Sequence, residues 1–562
     1  MSKLSFVLSI LVLPFVFHSI QAQAAETKAG TATVSGRVTL KGEPARGVMV
    51  VLQGQTPDRS NSPRAKTDES GRFHLTGVAA GRYSVFAIAP GYISPDDTNF
   101  GMRGKTLNVA EGEKVENIDL EIKRGGVIAG RITDSRGRPV IEETINLTKL
   151  DRNNQPQNYF SYSLNFDMNR TDDRGLYRIY GLPEGRYLVS VGHAQTSGSA
   201  RITLSREFYP RVFYPDAASE SEAKAIEVSE SSEATDVDIS VPDPKETRDV
   251  YGRVVDAGAG QPVAGVDVVV GGLTRDGRPS GGYSGPGVRS GPNGEFRLFG
   301  VLPGKYALFV PSDESVGFVS DPVIFDVSEG DAHGVEIKVR QGASISGVAV
   351  IEGTNDPKVL ARLSQVNLFG HIRPTASNPS PPGPRRPVKI NADGSFRIGG
   401  LHTGKAMISA MPPPDMRGLT VGRIERNGAP APEGIELESG EQMTGVRLVL
   451  VYGSLTLRGE VKIVGGELAS GQRFHISARR VDQPTQNSPG AEVDARGQFV
   501  IEYLQPGEYE IRVSPMFNQN NERLDPRIMR LFNSFKEKVY VSDGNQQPVT
   551  IRIDLSRKEG DQ

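Results

Sequence analysis

The chain has 562 residues, of which 37% are hydrophobic, with 64 glycines, 38 prolines and no cysteine. A chain of this length is expected to form several domains, each with its own hydrophobic core, since domains usually contain about 100 to 200 residues. The formal net charge of -2 offers nucleic acid and anionic membranes no general attraction. The lack of cysteine excludes disulfides, cysteine nucleophiles, thiolate metal sites and a lipid-modified N-terminal cysteine.

Residues 1–24 are typical of a secretory signal peptide. Lys3 precedes an apolar stretch over residues 4–17, and Ala22 and Ala24 form a small-x-small cleavage site. An uncleaved membrane anchor is the less favoured alternative, because the stretch contains Pro14 and is shorter than the about 20 residues that span a bilayer. We predict cleavage after Ala24 and export of a chain without a transmembrane segment to the periplasm, the cell surface or the exterior.

One sequence pattern occurs five times along the rest of the chain. It reads TDESGRFHLTGVAAGRYSVFA at its first occurrence, and its copies start at residues 67, 171, 290, 390 and 493. Each copy follows a G-R-V-like segment and precedes a stretch of alternating apolar residues such as Val335, Ile337 and Val339. Such alternation indicates a strand with one buried face. A spacing of about 100 residues is that of whole small domains in tandem.

Every copy contains a D-x-x-G-like turn, which raises the question of a cation site. Asp172 and Asp173 stand before the glycine of the second copy, whereas Gly291 and Pro292 occupy these positions in the third. A cation site repeated in each unit would need negatively charged residues at these positions in every copy, so the acidic residues are not a repeated ligand set. The glycine persists in all copies, which predicts a tight hairpin with a positive φ angle.

Six or seven short strands per repeat, with turn signals about every ten residues, predict antiparallel β-sandwiches. The protein is therefore predicted to be all-β, a tandem array of about five sandwiches with one short amphipathic helix near the C-terminus. Connections as short as residues 123–126 predict a semi-rigid rod of domains. The predicted domains cover residues 25–124, 125–243, 244–341, 342–452 and 453–562, of which the fourth is divergent.

Three segments interrupt the repeats. Residues 271–292 are Gly-rich and residues 374–387 are Pro-rich, so each is either a recognition loop or a solvated insertion. A helix is predicted near residues 526–537, where apolar residues follow the i, i+3, i+4, i+7 spacing and Pro526 fits the first turn. Basic residues such as Arg530 leave an anionic partner open for this helix, but packing on its own sandwich is favoured. The apolar residues are Ile528, Leu531, Phe532 and Phe535.

These motifs resemble the bacterial carboxypeptidase regulatory-like domain family, a transthyretin-like or prealbumin-like β-sandwich. The resemblance is carried by G-R-V/I at Gly36, Gly130 and Gly252, by G-x-P-V from Gly137 and Gly260, and by T-D-x-x-G-x-F/Y followed by G-L-P-x-G-x-Y. The first three copies match well, the fifth partly and the fourth weakly. The resemblance implies transthyretin-like sandwiches and specifies no activity. YSVFAIAPGYIS in the first copy is more weakly similar to collagen-adhesin B-type repeats.

A search for catalytic motifs finds one H-x-x-E segment, from His333 to Glu336, with His475 further along the chain. Residues three apart on a regular strand point to opposite faces, so this pair is not predicted to bind zinc. We find no nucleophile elbow, phosphate loop or complete EF-hand loop. The sequence therefore predicts no enzyme, no catalytic residue, no metal ligand and no cofactor, and leaves the binding residues unknown.

The leading functional prediction is an exported, non-enzymatic, multi-domain binding or structural protein of the bacterial envelope or exterior, with an envelope protein or a polysaccharide as partner. The first alternative is polysaccharide binding, because the fold resembles starch-binding modules that stack sugars on aromatic rings. The second alternative is an accessory to a separate secreted peptidase or an outer-membrane transporter, to which such modules are often attached. The candidate stacking platforms are Tyr159, Tyr162, Tyr209, Tyr214 and Tyr283.

Overall fold

A computed structural model describes most of the chain and shows an all-β protein built from five β-sandwich units, each with its own hydrophobic core. Within the residues that the structure describes, no helix is both long enough and apolar enough to cross a membrane. The described residues are 30–54, 62–96, 104–151, 153–156, 169–193, 205–274, 276–283, 287–311, 317–373, 387–413, 416–466, 472–482, 488–516, 526–542 and 548–556.

The first three units contain no α-helix within the described residues, although the second has a 3₁₀ turn at Glu220–Glu222. The first unit contains β1 (Ala32–Leu40), β2 (Glu43–Pro44), β3 (Met49–Gly54), β4 (Arg64–Lys66), β5 (Arg72–Val78), β6 (Gly81–Ile88), β7 (Tyr92–Ile93), β8 (Lys105–Val109), β9 (Lys114–Val115) and β10 (Leu120–Arg124). The second contains β11 (Gly126–Asp134), β12 (Ile145–Leu150), β13 (Leu176–Leu182), β14 (Gly185–Val191), β15 (Glu207–Phe208), β16 (Val212–Phe213), β17 (Ile226–Val228), β18 (Glu233–Ala234) and β19 (Ile239–Val241). The third contains β20 (Lys245–Glu246), β21 (Arg248–Asp256), β22 (Asp267–Leu273), β23 (Pro279–Tyr283), β24 (Val288–Arg289), β25 (Glu295–Val301), β26 (Lys305–Phe309), β27 (Phe318–Ser320), β28 (Val323–Asp326) and β29 (Ala332–Gln341).

The last two units each include a short α-helix. The fourth contains β30 (Ala343–Glu352), α1 (Pro357–Leu360), β31 (Asn367–Ile372), β32 (Val388–Lys389), β33 (Ser395–Leu401), β34 (Gly404–Met411), β35 (Leu419–Arg426), β36 (Ala429–Pro430), β37 (Ile435–Leu437) and β38 (Gln442–Tyr452). The fifth contains β39 (Leu455–Val464), β40 (Phe474–Arg480), β41 (Gly490–Glu492), β42 (Gln498–Leu504), β43 (Gly507–Pro515), α2 (Pro526–Ser534), β44 (Glu537–Val541) and β45 (Val549–Asp554). The exact domain boundaries given above stay predictions.

All five units share one strand plan. The first strand lies between the strand that follows the D-x-x-G turn and the closing strand, as in β25-β21-β29 of the third unit. The second sheet is built around an antiparallel pair such as β22 and β26. The sandwiches are mainly antiparallel, as predicted, but the closing strand of every unit pairs in parallel with its first strand. Alternating apolar residues do not reveal this direction, because they indicate a buried face and not a neighbour.

The D-x-x-G segment forms a tight turn between the two sheets of a unit, because β13 after the turn pairs with β11, whereas Arg170 before it pairs with Thr144 next to β12. Gly175 has a φ angle of 74°, and Asp172 Oδ1 accepts hydrogen bonds from the backbone N–H groups of Arg174 at 2.9 Å and Leu176 at 2.8 Å. The side chain of Asp173 is 92% exposed. Asp172 therefore holds the backbone of the turn. The predicted tight turn with a positive φ angle is confirmed, but the predicted hairpin is wrong, because within the described residues the strands on its two sides pair with other strands and not with each other.

Helix α2 packs on its own sandwich, as the sequence analysis favoured. Phe532 is buried in the fifth core, with its ring centroid 5.1 Å from that of Phe474. Ile528, Leu531 and Phe535 pack around it. The helix ends at Ser534, three residues before the predicted end at 537, because β44 begins at Glu537 and pairs with β43.

The prediction of a rod is wrong, because the fifth unit contacts the first. The backbone N–H of Ala495, in the fifth D-x-x-G turn, donates to the carbonyl oxygen of Thr106 in β8 at 3.0 Å. Arg82 of the first unit donates to the carbonyl oxygen of Val500 at 3.0 Å. The chain therefore returns to its own beginning, which the short connections between neighbouring units could not reveal.

Candidate functional site

The two segments predicted as variable loops differ in outcome. Residues 374–386 lie outside the described residues. The first segment is partly regular, because β22 and β23 form a hairpin in which Gly271 pairs with Tyr283. Its turn is a D-G turn at Asp276 and Gly277, and the φ angle of this glycine is 78°. An Asp-Gly pair between extended segments is a strong hairpin signal, which the low-complexity interpretation of the segment overlooked.

The predicted tyrosine platforms are not brought together as an exposed surface. Tyr209 and Tyr214 are partly buried and pack against the core of the second unit, and Lys224 Nζ lies 5.9 Å from the ring centroid of Tyr214. Tyr159 and Tyr162 lie outside the described residues, and so does the side chain of Tyr283. The tyrosines placed by the structure therefore do not form the stacking surface that the polysaccharide alternative requires.

The H-x-x-E segment is arranged differently from the prediction. Val250 pairs with Ala332, and the next paired residues are Gly252 and Val335. The register therefore advances by two residues in β21 and by three in β29, which is a β-bulge. The bulge inserts an extra residue, so His333 and Glu336 both face solvent, and the prediction of opposite faces is wrong. In the described part of the chain, no group of three or more His, Asp or Glu side chains is arranged to hold a metal ion.

The outward face of this sheet carries a row of three flat side chains across neighbouring strands. The Tyr251 ring stacks on the His333 ring with a centroid distance of 4.7 Å and an interplanar angle of 5°. On the neighbouring strand Arg297 pairs with Tyr251, and its guanidinium carbon lies 5.3 Å from the tyrosine ring centroid. We call Arg297, Tyr251 and His333 the third-unit row.

A buried carboxylate anchors the third-unit row. Asp249 is 1% exposed and accepts hydrogen bonds from Arg297 Nη2 at 2.6 Å and from the Tyr251 hydroxyl at 3.3 Å. Burial alone would raise the pKa of Asp249, but the hydrogen bond from Arg297, the Gly300 N–H and the nearby arginines outweigh it and lower that pKa. Asp249 therefore stays charged and restricts the movement of the row.

The second unit supports the same anchor from the other side. Arg206 Nη1 lies 3.4 Å from Asp249 Oδ2, and its guanidinium carbon lies 4.3 Å above the ring centroid of Phe299. The backbone also links the two units, since Thr247 N–H donates to the carbonyl oxygen of Arg206 at 2.9 Å. The row consequently lies beside a junction whose two sides are joined by charge and by hydrogen bonds.

Comparison of the repeats shows that the third-unit row is particular to the third unit. At the position of Tyr251 the other copies have small residues or arginine, at Ser35, Ala129, Ser346 and Arg458. At the position of His333 three copies have Glu116, Thr235 and Thr444, each before a residue of positive φ in the bulge. The sequence analysis missed the row because it aligned the motifs and did not compare the outward positions between them.

The arrangement suits binding better than catalysis. His333 on one neighbouring strand and Arg297 on the other both lie against the Tyr251 ring. The row therefore presents ring edges and polar atoms to solvent. Flat aromatic and arginine side chains held in fixed positions are typical of protein recognition surfaces.

The comparisons with known proteins give one family match and several distant structural likenesses. The comparison with curated proteins gave no match. A streptococcal ancillary pilin shares 14% identity over 55% of this chain and 99% of its own, with a TM-score of 0.24. The major pilin subunit of Bacillus cereus shares 13% identity over 55% and 99%, with a TM-score of 0.14. Two B repeat units of the collagen-binding protein of Staphylococcus aureus share 11% identity over 75% and 99%, with a TM-score of 0.13. These likenesses are too low to transfer any property of those proteins.

The fold defines a tandem array of β-sandwich domains. Residues 33–121, which are the greater part of the first unit, match the family described as carboxypeptidase regulatory-like domain. This match agrees with the resemblance carried by the G-R-V and T-D-x-x-G motifs of the first unit.

Proposed function

We propose that the protein is an exported, non-catalytic binding protein of the bacterial envelope or exterior, and that the third-unit row is part of its recognition surface. The observation that carries this proposal is the position of Tyr251 and His333, stacked on an outward sheet face and anchored by the buried Asp249. A buried charged anchor beneath half-buried Tyr251 and exposed His333 keeps the surface ready for a ligand, which lowers the entropy lost on binding.

A protein is favoured over a polysaccharide as the ligand. Sugars bind aromatic side chains through the open face of a ring, whereas the Tyr251 ring has neighbours on both adjacent strands. Ring edges, a guanidinium and an imidazole instead match the hydrogen-bonding groups and side chains of a protein surface. A partner that is itself a secreted peptidase or an outer-membrane transporter is compatible with this proposal.

The test is crosslinking in the native bacterium followed by mass spectrometry, comparing the wild type with the double variant Tyr251→Ser and His333→Thr. These substitutions give the third unit the residues that the fourth unit has at Ser346 and Thr444, so the fold of the sheet is kept. We expect the crosslinked partner of the wild type to be lost or strongly reduced in the variant.

A control substitution and a glycan assay separate the alternatives. Ser346→Ala changes the same outward position in the fourth unit and should leave the partner bound. An unchanged partner in the Tyr251→Ser and His333→Thr variant would reject the third-unit row as its site. Retention of the wild type on immobilised polysaccharides, lost in Tyr283→Ala, would favour the polysaccharide alternative instead.

Export is tested separately. The proposal requires that the mature protein begins at Ala25 and is recovered from the periplasm, the cell surface or the medium. Fractionation followed by N-terminal sequencing measures both. A chain that keeps Met1 and remains in the cytoplasm would contradict the export part of the proposal.

A further inference from the structure

Strand β8 lies at the end of its sheet, in the order β4-β3-β6-β8, so one side of its backbone has no neighbouring strand in that sheet. The fifth unit covers this side. Besides the bond from Ala495 to Thr106, the Asn108 N–H donates to Asp494 Oδ2 at 3.3 Å, and Arg496 Nη2 donates to the Asn108 carbonyl oxygen at 2.6 Å. The D-x-x-G turn of the fifth unit thus satisfies the backbone edge of a strand in the first.

Charged side chains hold the same contact together. Arg496 Nη1 lies 2.7 Å from Glu113 Oε1 of the first unit. Arg473 pairs with Glu492, and both side chains bond to the Thr106 hydroxyl at 3.0 Å. Of these pairs, Arg496 and Glu113 join the two units by opposite charges, whereas Arg473 and Glu492 belong to the same unit and contact the first unit through the Thr106 hydroxyl.

Two features indicate that this contact can open. Arg496 and Glu113 keep 21% and 29% of their side chains exposed, so salt screens their attraction, over about 8 Å at physiological ionic strength. Within the described residues, Asn108 Nδ2 and Arg473 Nη1 are buried donors without a hydrogen-bond acceptor. Each unpaired donor weakens the closed form, because water would satisfy it in the open form.

We propose that this contact is a reversible clasp, in which the D-x-x-G turn of the fifth unit covers the edge of β8 and closes the chain on itself. The clasp consists of Thr106, Asn108, Glu113, Glu492, Asp494 and Arg496. Opening it separates the first and fifth units and uncovers the N–H and C=O groups of β8. An uncovered strand edge is a template for pairing with another strand, so the clasp also protects the molecule from unwanted association.

The repeat supplies a matched control for testing the clasp. Arg174 in the second unit occupies the same turn position as Arg496 and pairs with Asp172 as Arg496 pairs with Asp494. Its side chain is 71% exposed, and its ion pairs within the described residues remain inside its own turn. Arg496→Glu and Arg174→Glu therefore disturb the same turn chemistry, but only Arg496→Glu places a carboxylate against Glu113.

The experiment is small-angle X-ray scattering of the mature full-length chain, with the molar mass measured by light scattering on the same samples. We expect Arg496→Glu to increase the radius of gyration and the maximum dimension at unchanged mass, and Arg174→Glu to leave both at the wild-type values. Adding Glu113→Arg to Arg496→Glu restores opposite charges and should return the dimensions toward the wild type. This rescue distinguishes an open clasp from a misfolded fifth unit.

Three results would overturn the proposal. The first is a wild-type maximum dimension as long as that of Arg496→Glu. The second is equal expansion of Arg496→Glu and Arg174→Glu without rescue by Glu113→Arg. The third is a wild-type mass of two chains that falls to one chain in Arg496→Glu, since the fifth unit would then cover β8 of a second copy.

Discussion

A glycine in the first strand of each unit lies directly beneath a carbonyl oxygen in, or just before, the closing strand. A Cβ atom at any of these glycines would lie far inside van der Waals distance of that oxygen. The G-R-V motif therefore has a steric cause, which is the close approach of the two backbones. The glycines are Gly36, Gly130, Gly252, Gly347 and Gly459, and the oxygens belong to Ile118, Val237, Val335, Val446 and Val549.

The steric explanation predicts a large effect for Gly252→Ala. The new methyl group would meet the carbonyl oxygen of Val335 and the ring of Phe296, so we expect the third unit to lose about 3 kcal/mol of stability. Gly330→Ala is the control, because no atom lies within 4 Å of a Cβ at that position. Hydrogen exchange of the full-length chain, read on peptides of β21 and β29, measures the change. Equal exchange in the two variants would contradict the explanation.

We predict that the junction between the third and fourth units loses stability in acid because of His402. Burial lowers its pKa, nearby Arg340 lowers it further, and Asp321 partly opposes both. A histidine with a lowered folded pKa stays neutral while the unfolded chain takes up a proton, so stability falls as the pH drops below about 6.5. Thermal unfolding at pH 7 and pH 5 should show a larger loss for the wild type than for His402→Gln, whose new residue matches Gln505 in the fifth copy. Identical losses would rule out His402 as the cause.

Among the elements, helix α2 interrupts the repeat pattern and packs into the core of its own sandwich. Its apolar side follows the spacing read from the sequence and completes the fifth core around Phe532. We expect Phe532→Ala to cost about 3 to 5 kcal/mol, the usual effect of removing a buried aromatic ring. Asn533→Ala, on the exposed side of the same helix, should change little. The melting of the fifth unit, followed by hydrogen exchange in β40, reports the difference, and a Phe532→Ala variant as stable as Asn533→Ala would contradict this packing.

The elements also show which parts of the fold the sequence predicts. Repeated glycines and alternating apolar residues predict the tight turns and the strands, because these depend on local backbone geometry and on one buried face. They do not show that the strands on the two sides of each D-x-x-G turn belong to different sheets. The bulge at Gly334 was missed because a regular strand period was assumed there. Stacking of Tyr251 on His333 depends on pairing between strands about 80 residues apart, and no local pattern specifies it.

For the whole molecule, the clasp could not be predicted from the chain. Asp494 and Arg496 look the same in sequence as Asp172 and Arg174, and both pairs do form the same turn. Only the path of the chain through all five units brings one of them against β8. A contact between residues nearly 400 positions apart depends on how every junction between the units orients the next unit. The candidate site and the clasp therefore both required the structure.

The charge of Glu113 makes closure dependent on acid. Burial raises the pKa of this carboxyl, but the N–H of Ala110 and the guanidinium of Arg496, with Arg458 also near, outweigh burial and hold that pKa below its ordinary value. The Ala110 N–H belongs to the first unit, so only the lowering by the fifth-unit arginines depends on closure. This part stabilises the closed form while Glu113 is charged and is lost as the pH falls below about 4. Scattering profiles between pH 7 and pH 3 should show the wild type expanding. Glu113→Gln should be partly open throughout and should depend less on pH; equal pH dependence of the two proteins would contradict this role.

The parallel pairing of the first and closing strands has a mechanical consequence. In each unit the chain enters on one strand and leaves on its parallel neighbour, as in β30 and β38, which are paired from Ser344 to Glu352. Tension on the two ends of a unit pulls these strands past each other and loads their hydrogen bonds together, whereas a hairpin would open them one at a time. Once the clasp has opened, a pulled chain resists as five such ladders in series.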